Sequence, residues 1–205
     1  MKRAMNSVIL SLAVFLGASI CSASVLTVGP NGQYPTPCAA IAVANAGDTI
    51  QIDYNNGIPY AEPAHNGVDQ TSDCVFTTNN LTIVGVNGRP ILDATGENIA
   101  KGIFDVYGSG VTFTNLEMRG AATPAGGGSN AAGVRVESGT TAAPGGGDIT
   151  IQYCYIHNNQ DGVLTANVGA SEGGAYASKN PFILFQYDEF AYNGAGDGES
   201  HNMYI

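Results

Sequence analysis

Four segments of the chain can be laid over one another without an internal gap: LTIVGVNG from Leu81, VTFTNLEM from Val111, ITIQYCYI from Ile149 and ILFQYDEF from Ile183. Their starts lie 30, 38 and 34 residues apart. In the last three, the first, third and eighth positions are always apolar: Val111/Phe113/Met118, Ile149/Ile151/Ile156 and Ile183/Phe185/Phe190. Alternation within each half is the period of a β-strand. The switch from odd to even positions requires a bend in between, near Asn115, Tyr153 and Tyr187. A second set follows each of these at variable distance: GIFDV from Gly102, GVRVE from Gly133, GVLTA from Gly162 and NMYI from Asn202. It is expected to turn Ile103, Val134, Val163 and Met203 inward. One repeat is then strand, bend, strand, Asn-containing turn and strand. A flat sheet cannot use such a unit without long crossovers, whereas coiling stacks each strand on its equivalent, about 4.8 Å away and in parallel. Asn159 and Asn193 fall in register at the tight turn, as an Asn ladder would require.

The variable spacing is taken up by Gly/Ala/Ser-rich insertions at 120–130, 138–147, 165–180 and 193–200, which read as loops projecting from the coil. Upstream, residues 35–48 read as a short helix with Thr36 as N-cap, Pro37 in its first turn and Gly47 ending it. Its apolar face of Ala40, Ile41 and Ala44 would plug the open end of the coil. TIQID, from Thr49 to Asp53, is then the first strand.

Residues 1–24 have the pattern of a secretory signal peptide: Lys2 and Arg3, an apolar run from Val8 to Ile20, then small residues. Ile20 before Cys21 does not suit a lipobox. Residues 25–205 form one domain, destined for the extracellular space, the periplasm or the cell surface. Beyond the leader, 5 basic residues face 17 acidic ones, which argues against nucleic acid as a partner. An acidic polymer would also be repelled unless a divalent cation bridged the two. Of Cys38, Cys74 and Cys154, the first two flank the first strands and are expected to pair, while Cys154 falls on an inward position. No Cys or His spacing suggests zinc, and His65 reads as a surface residue. The chain stops mid-strand at HNMYI, which reads as the N-terminal part of a longer solenoid.

The helix-then-strand opening PCAAIAVANAGDTIQI, the stretch NNLTIVGVNGRPILDATG and the coil ITIQYCYIHNNQDGV resemble secreted right-handed parallel β-helix proteins of the pectate-lyase-like superfamily. The resemblance covers nearly all of residues 25–205. It implies an extracellular polysaccharide as substrate, often with Ca²⁺ where uronates are cleaved.

Stacking turns aligned positions into spatial columns. One column would hold Glu117, Tyr155 and Glu189, bordered by Arg119 and His157. It suits a carbohydrate-facing surface, with carboxylates for Ca²⁺ or hydroxyls, Arg119 for a uronate and Tyr155 for stacking on a sugar ring. The same residues also make an ordinary solvated sheet face. A second column would hold Lys101, Ala132, Asp161 and His201. There Asp161 could orient His201 as a base, with Lys101 or Arg135 neutralising a uronate, for lyase or epimerase chemistry. As turn residues, Asp161 and His201 would instead bind backbone amides. Asp188 and Glu189 point to opposite faces, so they cannot serve together in hydrolysis. Asp197 and Glu199 are the candidate Ca²⁺ ligands. The rival to catalysis is a non-catalytic glycan-binding or adhesin-like solenoid.

Overall fold

The computed structural model of the chain describes residues 22–62, 72–97, 99–123, 131–137, 147–166, 182–196, 198 and 200–205. The expected leader up to residue 21, His65, Asp197, Glu199 and most of the Gly-rich insertions lie outside them.

The described chain is an all-β parallel solenoid. It opens with β1 (Val25–Val28), α1 (Pro37–Ile41), β2 (Thr49–Asp53) and β3 (Ser72–Phe76). Each later coil adds three short strands. The first has β4 (Thr82–Val86), β5 (Ile91–Asp93) and β6 (Gly102–Val106), and the next has β7 (Thr112–Thr114), β8 (Glu117–Arg119) and β9 (Ala132–Glu137). Then come β10 (Ile149–Gln152), β11 (Tyr155–His157) and β12 (Asp161–Ala166), followed by β13 (Ile183–Gln186), β14 (Glu189–Ala191) and β15 (Met203–Tyr204). Like strands stack into parallel sheets ordered β1-β2-β4-β7-β10-β13, β5-β8-β11-β14 and β3-β6-β9-β12-β15.

The register of the first sheet follows the sequence repeat, and that of the second follows it in the last three coils; in the first coil Leu92, not Gly88, is level with Met118, so four more residues separate β4 from β5 than a gapless alignment allows. Thr82, Thr112 and Thr150 are level, Ile149 pairs with Ile183, and Tyr155 pairs with both Glu117 and Glu189. Inward positions therefore build apolar ladders: Ile50, Ile83, Phe113 and Ile151 are each fully buried, as are Met118 and Ile156. Burial of such a side chain contributes about 2 kcal/mol. The expected bend falls at Asn115, Tyr153 and Tyr187, with φ of 55°, 56° and 59°. At the next turn the Asn ladder forms. Asn159 Nδ2 donates to Asn193 Oδ1 at 3.1 Å and to Met118 O at 3.2 Å, while Asn159 Oδ1 accepts from Ala121 N.

The third sheet departs from expectation by one residue. Gly133 and Gly162 are level, but Gly102 pairs with Ala132, so Phe104, not Ile103, shares a rung with Val134 and Val163. Glycine is needed at 162 because a Cβ there would run into the carbonyl of Asn202. Gly102 is aligned one place earlier, so Lys101 is level with Ala131. A shift of one residue exchanges the faces of a strand. Every residue of β6 is buried, so alternation carries no face signal there.

The helix is also shorter than expected, ending at Ile41. Thr36 Oγ1 caps Ala39 N, and Ala40 and Ile41 are buried against the coil end, as the plug requires. The Asp48 carboxylate accepts from the amides of Asn45 and Ser24, both at 2.7 Å, and so closes a turn where the helix would have continued. Cys38 and Cys74 form a disulfide that ties α1 to β3. Cys154 is free and buried, and burial pushes its thiol up to about 12. Among the described residues no helix is long and apolar enough to cross a membrane.

Candidate functional site

The first expected column is assembled on the outer face of β5-β8-β11-β14. Parallel stacking places Glu117, Tyr155 and Glu189 on one rung line and Asp93, Arg119, His157 and Ala191 on the next. Every nitrogen of the Arg119 guanidinium donates: Nε and Nη2 to Asp93 Oδ2 at 2.9 and 2.8 Å, and Nη1 to Glu117 Oε1 at 3.2 Å. Burial works to raise the Asp93 carboxyl, but hydrogen bonds from Thr95 and the Arg119 guanidinium outweigh it and hold it below its ordinary range. His157 Nε2 lies 3.2 Å from Glu117 Oε1, its Nδ1 lies 2.6 Å from Asn158 Oδ1, and its ring stacks on Tyr155 at 3.9 Å. The result is a chain of paired groups from Asp93 to Asn158, with Tyr155 lying over it. Asp93 closes this network and was missed in the sequence, although it stands 26 residues before Arg119 on the neighbouring coil.

Glu189 is exposed at the near edge of this face. Asp188, beside it, turns back into the coil: its Oδ1 accepts from Cys154 N at 2.8 Å and its Oδ2 from Gln186 N at 3.1 Å. Burial nevertheless raises its carboxyl above the ordinary range.

The second expected column is split. Asp161 is wholly buried, and its Oδ1 accepts from the backbone N–H of His201 at 2.7 Å. The His201 ring is exposed and stacks on Tyr204 at 5.8 Å. The carboxylate thus holds the His201 backbone, the role expected of a turn residue. Lys101 and Arg135 meet elsewhere, on the outer side of β6 and β9, where both donate to Glu137 Oε1, at 3.2 and 2.7 Å. Next to them is Asp105, level with Arg135 and 1% exposed. Its Oδ2 accepts from Ser72 Oγ at 3.1 Å, and its Oδ1 is buried without a hydrogen-bond partner in the structure. Burial, reinforced by the Glu137 carboxylate, pushes Asp105 up to about 6. Desolvation acts to lower Lys101, but Glu137 and Asp105 outweigh it and raise its ammonium. Asp105 escaped the sequence reading because the one-residue slip in β6 set it on the wrong face.

Among the described residues, one set of three His, Cys, Asp or Glu side chains brings its ligating atoms together: Cys38, Glu62 and Cys74. The two sulfurs are joined as a disulfide, and one carboxylate does not suit Ca²⁺, which takes six to eight oxygens. A separate cleft of about 370 Å³ lies at the corner after β1 and β2, lined by Gln51, Asp53, Asn55 and Asn87 among others, and holds none of the expected site residues. Compared with known proteins, the chain matches no family model, no curated protein and no solved structure.

Proposed function

We propose that the protein is secreted and binds an extracellular polysaccharide along the outer face of β5-β8-β11-β14. The observation that carries this reading is the solvent-facing column in which Tyr155, stacked on His157, lies between the carboxylates of Glu117 and Glu189. A flat aromatic between hydroxyl acceptors is what a pyranose ring needs: its C–H face packs on the phenol and its hydroxyls donate to the carboxylates. Arg119 is engaged on both sides by Asp93 and Glu117, which argues for recognition of hydroxyls over capture of a uronate. The leader-like N-terminus and a disulfide fit an oxidising compartment. Titration of the purified chain against a panel of soluble polysaccharides tests the reading. Tyr155→Ala should weaken binding at least about tenfold, and absence of binding by the wild-type chain would discard it.

A further inference from the structure

At the first bend of the coil, three equivalent residues share one backbone conformation and two chemistries. Asn115, Tyr153 and Tyr187 all have positive φ, at 55°, 56° and 59°. Asn is well suited to this left-handed region, and Asn115 also uses its amide there, donating to Gly85 O at 3.1 Å and Gly88 O at 2.7 Å. A bulky aromatic residue is poorly suited to it, and two successive coils nevertheless place Tyr at this corner. The phenol rings do not fold back over the coil. Tyr153 is 48% exposed and Tyr187 80%, and they stack on each other with centroids 5.1 Å apart and planes 13° from parallel. The second corner of the last coil repeats the exchange: Tyr192, with φ of 54° and 81% exposed, stands where the preceding coil has Asn158, also at 54°. Backbone suited to Asn thus carries exposed tyrosine at both ends of β14.

We infer that Tyr153 and Tyr187 form an aromatic ledge that binds the C–H face of a neutral pyranose glycan. This inference rests on the polysaccharide-binding reading and adds the class of sugar and its point of contact. The ledge borders the Glu117–Tyr155–Glu189 column, because Tyr153 and Tyr187 each precede by two residues the column residue of their own coil. A sugar ring packed against the ledge would bring its hydroxyls toward Glu189 and Tyr155, the column residues of the same two coils. The surrounding charge decides between neutral and acidic sugars. Asp188 and Glu189 flank the ledge, Arg89 acts on Asp188 from the same corner, and the whole chain carries a net charge of −10. Local and global charge therefore oppose a polyuronate, while the exposed Glu189 carboxylate can accept from neutral hydroxyls.

The test uses Tyr187→Asn, which suits the backbone, together with Tyr153→Asn and Tyr155→Ala. Neutral probes (xylo-, manno- and gluco-oligosaccharides) and anionic ones (oligogalacturonate and oligoalginate) are titrated against the full chain, and melting temperatures are recorded. The expected result is neutral-probe binding by the wild type that weakens at least about tenfold in Tyr187→Asn, with an unchanged or higher melting temperature. Binding of anionic probes alone would overturn the neutral ledge while leaving the polysaccharide reading intact. Unchanged affinity in both Asn variants, with loss in Tyr155→Ala, would confine binding to the column and overturn the ledge. A lower melting temperature with unchanged affinity would assign the tyrosine pair to fold cohesion and overturn it as well. Absence of binding to any probe by the wild type would reject both readings together.

Discussion

Two faces of the same solenoid carry charge, and they treat it in opposite ways. On β5-β8-β11-β14, Asp93, Arg119 and Glu117 pair within reach of solvent, with the Arg119 side chain 32% exposed, and only His157 is buried beside them. On β3-β6-β9-β12, Glu137 and Asp105 are 3% and 1% exposed, and both Lys101 and Arg135 turn toward them. Identical stacking geometry generates both arrays, so register decides which charges become neighbours and covering decides what each one costs. A pair open to water gains little and loses little, whereas a covered charge depends on its partner.

The sharpest break of this comparison is Glu137→Gln. It leaves the covered Arg135 cation, and the more open Lys101 beside it, without their shared carboxylate and should cost about 2 kcal/mol, read by urea denaturation. A loss below about 1 kcal/mol would show that the two faces are energetically alike.

Asp105→Asn should act in the opposite sense, because its folded-state carboxyl titrates near 6, above the unfolded value of 3.8. The folded state then holds the extra proton, so this group's contribution to stability is fully present below pH about 4 and is lost as pH rises toward 6. The variant should lack that decline and gain on the order of 2 kcal/mol over the wild type at pH 7. Asp73, which burial and the Glu97 carboxylate push up to about 9, tilts stability the same way and is left untouched in this comparison. A parallel pH profile in variant and wild type would contradict the assignment. The smallest effect belongs to the open face: Glu117→Gln should cost about 0.5 kcal/mol, and 1 M salt should shrink even that. A loss matching that of Glu137→Gln would erase the distinction.

The sequence made the first sheet legible to the residue, because LTIV, VTFT, ITIQ and ILFQ alternate cleanly, and the second in the last three coils, where no insertion interrupts the run through the bend; four extra residues before β5 hid Leu92 and Asp93. Glu117, Tyr155, His157 and Glu189 could therefore be placed together before any coordinates. The third sheet follows loops of unequal length, and each loop resets the count. Gly102 offered a false match to Gly133 and Gly162, and uniformly buried β6 gave no alternation to correct it. The Asp105 and Glu137 cluster was lost with that register. Ala42 to Gly47 read as helix because nothing local in that stretch reveals the Asp48 carboxylate that captures Asn45 N and Ser24 N. The roles of Asp161 and Asp188 hung on the same kind of detail. A carboxylate reaching for a backbone amide leaves the same trace in a sequence as one reaching for an imidazole.

The cross-link between Cys38 and Cys74 has a consequence for the order in which the molecule comes together. Both sulfurs belong to the first part of the chain to leave the ribosome, and Cys154 follows 80 residues behind Cys74. A solenoid adds coils to a preformed edge, each new strand finding its template in the one before. The early cross-link can close and fix the plugged end as a seed before Cys154 is made. Emergence from one end, read as a schedule, selects the pairing that an unfolded chain with all its thiols present would have to find by search.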